Sequence, residues 1–248
     1  MLLHHSSWPE IEAYLEKSRG IVIPIGSTEQ HGPNGLIGTD AICPEAIAHR
    51  AAAEEGFLVG PTFNVGIAQH HLGFPGTMTL RPSTMIAAIH DWVYSLARHG
   101  FERIYFFNGH GGNVATIEAA FSKIHADRSL ARDASNRGPV KCRRVNWWDF
   151  EPVMDFCKER YGNAHGAHAT PSEVAVPWFL HPQAIKRVEM TPRVAPWGRY
   201  SDAESYRAAF PDGRIGSDPS LADPKDGEKL IALSAEGLIA DFRKFEVA

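Results

Sequence analysis

The sequence predicts an α/β domain with a largely parallel central sheet. Short apolar runs alternate with longer amphipathic ones along the first half of the chain. The runs at 21–25 and 103–107 are apolar almost throughout, as strands covered on both faces must be. The polar residues with chemical potential gather just beyond these runs, where ligands sit in open α/β sheets.

Ile21-Val22-Ile23-Pro24-Ile25, closed by Gly26, reads as a buried strand. Pro24 is expected to end or bulge it, because proline gives the ladder no N–H. A loop over 27–39 leads to Asp40, a candidate N-cap for an Ala-rich helix over 41–55. Residues 57–59 are a second strand candidate. Ser83 starts a helix over 84–99, which Gly100 ends in a left-handed cap. Its Met85, Trp92 and Tyr94 are expected in the core. A strand over 103–107, a glycine turn at 109–112, a helix over 113–127 and a strand over 141–146 follow. Residues 192–226 are rich in Pro, Gly, Asp and Ser and read as irregular, and a closing surface helix is expected over 228–242. With no internal repeat or low-complexity tract, one domain over 1–248 is the simplest organisation.

Composition narrows the function class. Twenty-five Lys+Arg against 29 Asp+Glu leave no basic excess for a nucleic acid or an anionic membrane. No stretch of roughly 18 apolar residues would span a bilayer. The N-terminus lacks the basic-then-apolar pattern of a signal peptide. Cys43, Cys142 and Cys157 are odd in number and widely spaced, which points to a reducing, cytoplasmic compartment rather than a disulfide scaffold.

Glu29 and His31 follow the first strand two residues apart, so an extended segment sends both side chains the same way. Asp40 closes that loop, His110 follows the third run within Asn108-Gly109-His110-Gly111-Gly112-Asn113, and His165, His168 and Glu173 precede a further helix. Carboxylates and imidazoles arriving from three loops suit Zn²⁺ or Mn²⁺, and a carboxylate such as Asp40 could bridge two ions. Each has a plainer reading when taken alone. His110 would be a hydrogen-bonded structural residue, Glu29 to Gly32 a polar turn, and Asp40 a helix cap. The glycines at 109, 111 and 112 lack the P-loop lysine and the dinucleotide spacing.

Three segments resemble the signatures of the creatininase family: Ile23-Pro24-Ile25-Gly26-Ser27-Thr28-Glu29-Gln30-His31-Gly32-Pro33 with Gly38-Thr39-Asp40, then His71-Leu72-Gly73-Phe74-Pro75-Gly76-Thr77, then Asn108 to Asn113. The resemblance implies a three-layer α/β/α hydrolase with a mostly parallel sheet, two divalent ions, and a homo-oligomer, usually a hexamer. Zn²⁺ is the first expectation for the metal, with Mn²⁺ or Fe²⁺ as alternatives. By position Glu29, Asp40 and His110 would hold one ion, and Asp40, His31 and a further Glu the other. Creatininase supplies that Glu just after the third-signature His, where this chain has Gly112. Glycine-version members carry a later His-Ala-Gly-Glu-x-Glu block. His168-Ala169-Thr170-Pro171-Ser172-Glu173 matches its first His and last Glu, with Thr and Pro where Gly and Glu are usual. Glu173 is therefore the expected fifth ligand and His168 the proton-transfer residue, with His165 its competitor. Asn34-Gly35-Leu36-Ile37 and His70 also depart from the family pattern, so the pocket is expected to differ from that of creatininase.

The implied reaction is attack of an activated water on a carbonyl of a small molecule, cleaving a non-peptide, cyclic amide C–N bond. Ring opening of a cyclic ketone or carbohydrate-like substrate is the alternative, and a metal-stabilised, non-catalytic binding protein the other class. Trp147 and Trp148 are candidates for stacking on a flat substrate, or for plain packing. Trp197, Tyr200, Tyr206 and Phe210 mark 192–226 as a candidate subunit contact, against packing on their own domain.

Overall fold

The computed structural model describes residues 1–131 and 139–248. Three parallel strands, β1 (Gly20–Ile25), β2 (Arg103–Asn108) and β3 (Lys141–Asn146), pair in the order β1-β2-β3. Their last residues, Ile25, Asn108 and Asn146, stand in register, so the loops after all three leave from one edge.

Alternation along the strands divides the core. Val22, Tyr105 and Phe107 face α2 (Thr39–Glu55), α5 (Glu151–Tyr161), α6 (Pro171–Leu180) and α8 (Pro224–Val247). Ile21, Ile23, Ile25, Ile104 and Phe106 face α3 (Pro82–Arg98) and α4 (Val114–Ser129), with α1 (Trp8–Leu15) packed at the same side. The result is the expected three-layer α/β/α arrangement. Met85 lies in this second core layer, and Trp92 and Tyr94 are partly buried against it. No described helix is long and apolar enough to cross a membrane.

Several expectations need correction. Pro24 neither ends nor bulges β1. Even-numbered β1 residues turn their polar groups to 57–63: Val22 N–H donates to Leu58 O, and Phe63 N–H donates to the Pro24 carbonyl. The missing donor therefore falls on the outer edge, where 57–63 makes only isolated bridges, and the β2 ladder loses nothing. Asp40 is not a cap, since α2 starts at Thr39 with Gly38 at the N-cap position. The 192–226 stretch contains α7 (Ala203–Ala209), opened by an Asp202–Ser205 capping box. Tyr206 and Phe210 are fully buried against Phe74 and Ile215 and so are no contact residues, whereas Trp197 is exposed. The closing helix is no surface helix: Leu230, Ile231, Leu238, Phe242 and Phe245 are buried along it, because α8 packs against α6 and α2.

Candidate metal centre

The loop after β1 delivers Glu29 and His31 to one place. Asp40 joins them from the first turn of α2. Pro44, inside α2, has no N–H for the Asp40 carbonyl. That carbonyl lies instead against Gly26 and Gly109, where a Cβ would collide with its oxygen. Side-chain-free residues at 26 and 109 are thus what let α2 approach the strand ends. His110 follows β2 directly, and Glu173 sits in the first turn of α6.

The distances are those of lone pairs gathered for a cation. His31 Nε2 is 2.8 Å from Asp40 Oδ1, and His110 Nδ1 is 2.7 Å from Asp40 Oδ2. His110 Nε2 is 3.2 Å from Glu29 Oε2, and Ser27 Oγ–H donates to that same oxygen at 2.7 Å. Two overlapping groups could each hold an ion: Glu29, Asp40 and His110, and His31, Asp40 and Glu173, all within 4.8 Å inside each group. A third group, Glu29, His31 and His168, lies beside them. Glu29 Oε1 and Asp40 Oδ2 are buried and have only imidazole nitrogens facing them, His71 Nε2 at 3.1 Å and His110 Nδ1 at 2.7 Å. Orphaned carboxylate oxygens facing imidazoles in a dry site are costly unless a cation takes them, so the donor set fits divalent metal.

Each imidazole is also aimed. His31 Nδ1–H donates to Glu29 O at 3.2 Å, leaving Nε2 for the site. His110 Nε2–H donates to Ile67 O at 2.9 Å, leaving Nδ1. A backbone carbonyl behind each ring is the support that metal-ligating histidines use.

Electrostatics follow from the crowding. Burial opposes charge on His31, but Asp40, Glu173 and Glu29 outweigh it and push its pKa up to about 10. Burial likewise opposes charge on His110, while Glu29 and Asp40 push it up to about 9. Burial resists ionisation of Asp40 too, yet His31 and His110 hold it well below the carboxylate range. Burial raises Glu173 to about 7, aided by Asp40 and opposed by His31. Without a cation, protons on the histidines balance the carboxylates, and a metal would displace them.

Gly112 has no room for a ligand side chain, since a Cβ there would meet His110 Nε2 and come within 2.6 Å of Ile67 O. Glu173 uses Oε2 to accept the Thr170 N–H in a capping box and takes part in the His31–Asp40 group as well. His168 is nearly buried, with Nε2 on Gln30 O and Nδ1 3.8 Å from Glu29 Oε1. His165 lines the same cavity, but its Nε2 is hydrogen-bonded to Ser172 Oγ at 2.7 Å and its ring stacks on Tyr161. The cavity over the centre is about 350 Å³ and is walled by Trp148, Tyr200 and His70, with Trp147 at its base in the core.

Two participants were given no role from sequence. His71 is buried, with Nε2 3.1 Å from Glu29 Oε1, and Gln30 threads between His71 and His168. His71 stood in the second signature; Gln30 carried no signal beyond lying between Glu29 and His31.

The family model Creatininase, described as creatinine amidohydrolase, matches residues 4–242. A creatinine amidohydrolase from Pseudomonas putida is 34% identical over 96% of this chain and 94% of its own. A mycofactocin precursor peptide peptidase from Mycolicibacterium smegmatis is 27% identical over 91% of this chain and 85% of its own. A solved manganese form of creatininase superposes with a TM-score of 0.86 at 23% identity, over 99% of this chain and 98% of the other.

Proposed function

The chain belongs to the creatininase family of hydrolases, and from that premise we propose that it is a metal-dependent amidohydrolase cleaving a cyclic, non-peptide amide C–N bond of a small molecule. The observation that carries this reading is Asp40, shared by two overlapping groups, Glu29–Asp40–His110 and His31–Asp40–Glu173. Two divalent ions held there would polarise a carbonyl and lower the pKa of a water between them. Nitrogen and oxygen donors without thiolate suit Zn²⁺, Mn²⁺ and Fe²⁺ alike, and Zn²⁺ is the metal we favour, on family resemblance. His168, with Nδ1 free toward Glu29, would carry the proton to the leaving nitrogen.

Two observations support a small amide. Two of the relatives, an amidohydrolase and a peptidase, are named for C–N cleavage. The cavity is small, and no Lys or Arg stands among its described lining residues. Turnover of creatinine, other cyclic amides, linear amides, short peptides and a carbohydrate-like cyclic ketone by metal-reconstituted protein tests the reading. Turnover confined to cyclic amides, lost on chelation and restored by Zn²⁺ or Mn²⁺, is expected. Turnover of the ketone alone, or of peptides alone, overturns it. Inert protein that one metabolite stabilises thermally would place it with binding proteins.

We also propose a homohexamer, on family resemblance. Light scattering should then give the mass of six 27.3 kDa chains, and a monomer's mass overturns it. A cytoplasmic location is proposed too, in keeping with three free cysteines.

A further inference from the structure

His71 and His168 stack with ring centroids 4.4 Å apart, and the side-chain amide of Gln30 reaches both. We propose that Gln30 is a positioning residue that sorts these two histidines into opposite presentations, so that His71 shows the centre an N–H and His168 shows it a bare nitrogen. The use made of the bare His168 nitrogen rests on the reading of His168 as the proton carrier; the sorting itself rests on the hydrogen bonds.

The amide's orientation is fixed by backbone at both ends. Gln30 Oε1 accepts the Gly32 N–H at 2.8 Å, and Gln30 Nε2–H donates to Gly213 O at 2.9 Å. One amide hydrogen remains; two ring nitrogens lie 2.9 Å away, His71 Nδ1 and His168 Nε2, and the Tyr206 hydroxyl stands farther off at 3.5 Å. His168 Nε2 is also 2.9 Å from the Gln30 carbonyl. A carbonyl oxygen only accepts, so His168 carries its proton on Nε2 and cannot also accept from the amide. The remaining amide hydrogen then goes to His71 Nδ1. A neutral imidazole accepting at Nδ1 carries its proton on Nε2, which faces Glu29 Oε1 at 3.1 Å. In the reverse assignment the lone pair of His168 Nε2 would face the Gln30 carbonyl, and its Nδ1–H would look at Glu29 Oε1 across 3.8 Å.

Two consequences follow for the centre. His71, protonated at Nε2, cannot join the metal ligands although it touches Glu29; it restrains that carboxylate instead. His168 keeps Nδ1 bare and turned to the site, as a proton acceptor must. Gly213 belongs to the device: its φ is +88°, and a Cβ there would collide with Gln30 Oε1.

The test is nitrogen-15 NMR of full-length, metal-reconstituted protein labelled at histidine, with resonances identified by their loss in His71→Ala and His168→Ala. Both rings are expected as neutral Nε2–H tautomers in the wild type. In Gln30→Met, which fills the space without donor or acceptor, the His71 signals should move to a mixture of tautomers. There kcat should fall roughly 10-fold or more with KM changed less than about threefold, the scale of losing an outer partner. An Nδ1–H tautomer at either ring in the wild type overturns the proposal, and that measurement does not depend on Gln30→Met folding. So does Gln30→Met with unmoved His71 signals. If the tautomers are as assigned but His168→Ala keeps full turnover, the sorting stands and the proton-carrier reading falls.

Discussion

Replacing Asp40 by Ala should strip the protein of bound metal and reduce turnover by at least ~10³-fold, because an unassisted water is far too weak an acid to supply hydroxide near neutral pH. No other side chain serves both overlapping groups: Oδ1 lies at His31 and Oδ2 at His110. Glu29 belongs to one of those two groups and Glu173 to the other, so their loss should cost one ion before the second. Removing Asp40 also leaves His31 and His110 without their nearest counter-charge in a buried site, at a cost of about 3–5 kcal/mol if they stay charged. Asp40→Asn keeps the shape and serves as the control for folding. Metal analysis with a circular dichroism melt decides the matter. About two ions per wild-type chain are expected, with folded but metal-poor variants. A folded Asp40→Asn protein with unchanged metal content would remove Asp40 from the centre.

The sequence made some of this legible and hid the rest for identifiable reasons. β1 and β2 were readable because strands covered on two faces need continuous apolar runs, and α2 to α4 because they follow with helical periodicity; β3, the partly exposed edge strand Lys141–Asn146, carries no such run. α1 and α7 were missed although each opens with a capping box, Ser7–Glu10 and Asp202–Ser205. Both helices are short, so their apolar residues barely establish a period. α5, begun by Glu151-Pro152, was missed as well. Asp40 misled as a cap because aspartate at a helix start is usually one; only the fold shows its carboxylate between two imidazoles. The residues given site roles were reached by matching local segments, whereas the role of Gln30 lies in contacts with His71 and His168 across 41 and 138 positions of sequence. Local pattern cannot report such contacts, since tertiary packing alone creates them. The same limit applies to His71, whose quoted signature gave it no partner until Glu29 stood beside it.

His168→Ala should lower kcat by roughly 10²–10⁴, the usual worth of general acid–base catalysis, while leaving the metal content as it was. Attack on an amide carbonyl yields an intermediate from which the amine leaves only once protonated, so an acid must stand near the leaving nitrogen. His168 has the means: Nε2 is tied to Gln30 O, and Nδ1 is free and 3.8 Å from Glu29 Oε1. Burial, then His71 and His31, keep its pKa well below the ordinary imidazole value, so the ring starts neutral and can take a proton. Once protonated it is a strong acid for its type and returns that proton readily. His165 lacks this placement, because its Nε2 is committed to Ser172 and its ring to Tyr161. His165→Ala should therefore stay within about an order of magnitude of wild-type turnover, short of the general acid–base range. His168 also falls in a ligand-distance group with Glu29 and His31, which sets the decisive control. If His168→Ala loses an ion along with activity, the residue is a ligand. If it keeps both while His165→Ala is dead, the proton path runs through the other histidine, three residues upstream.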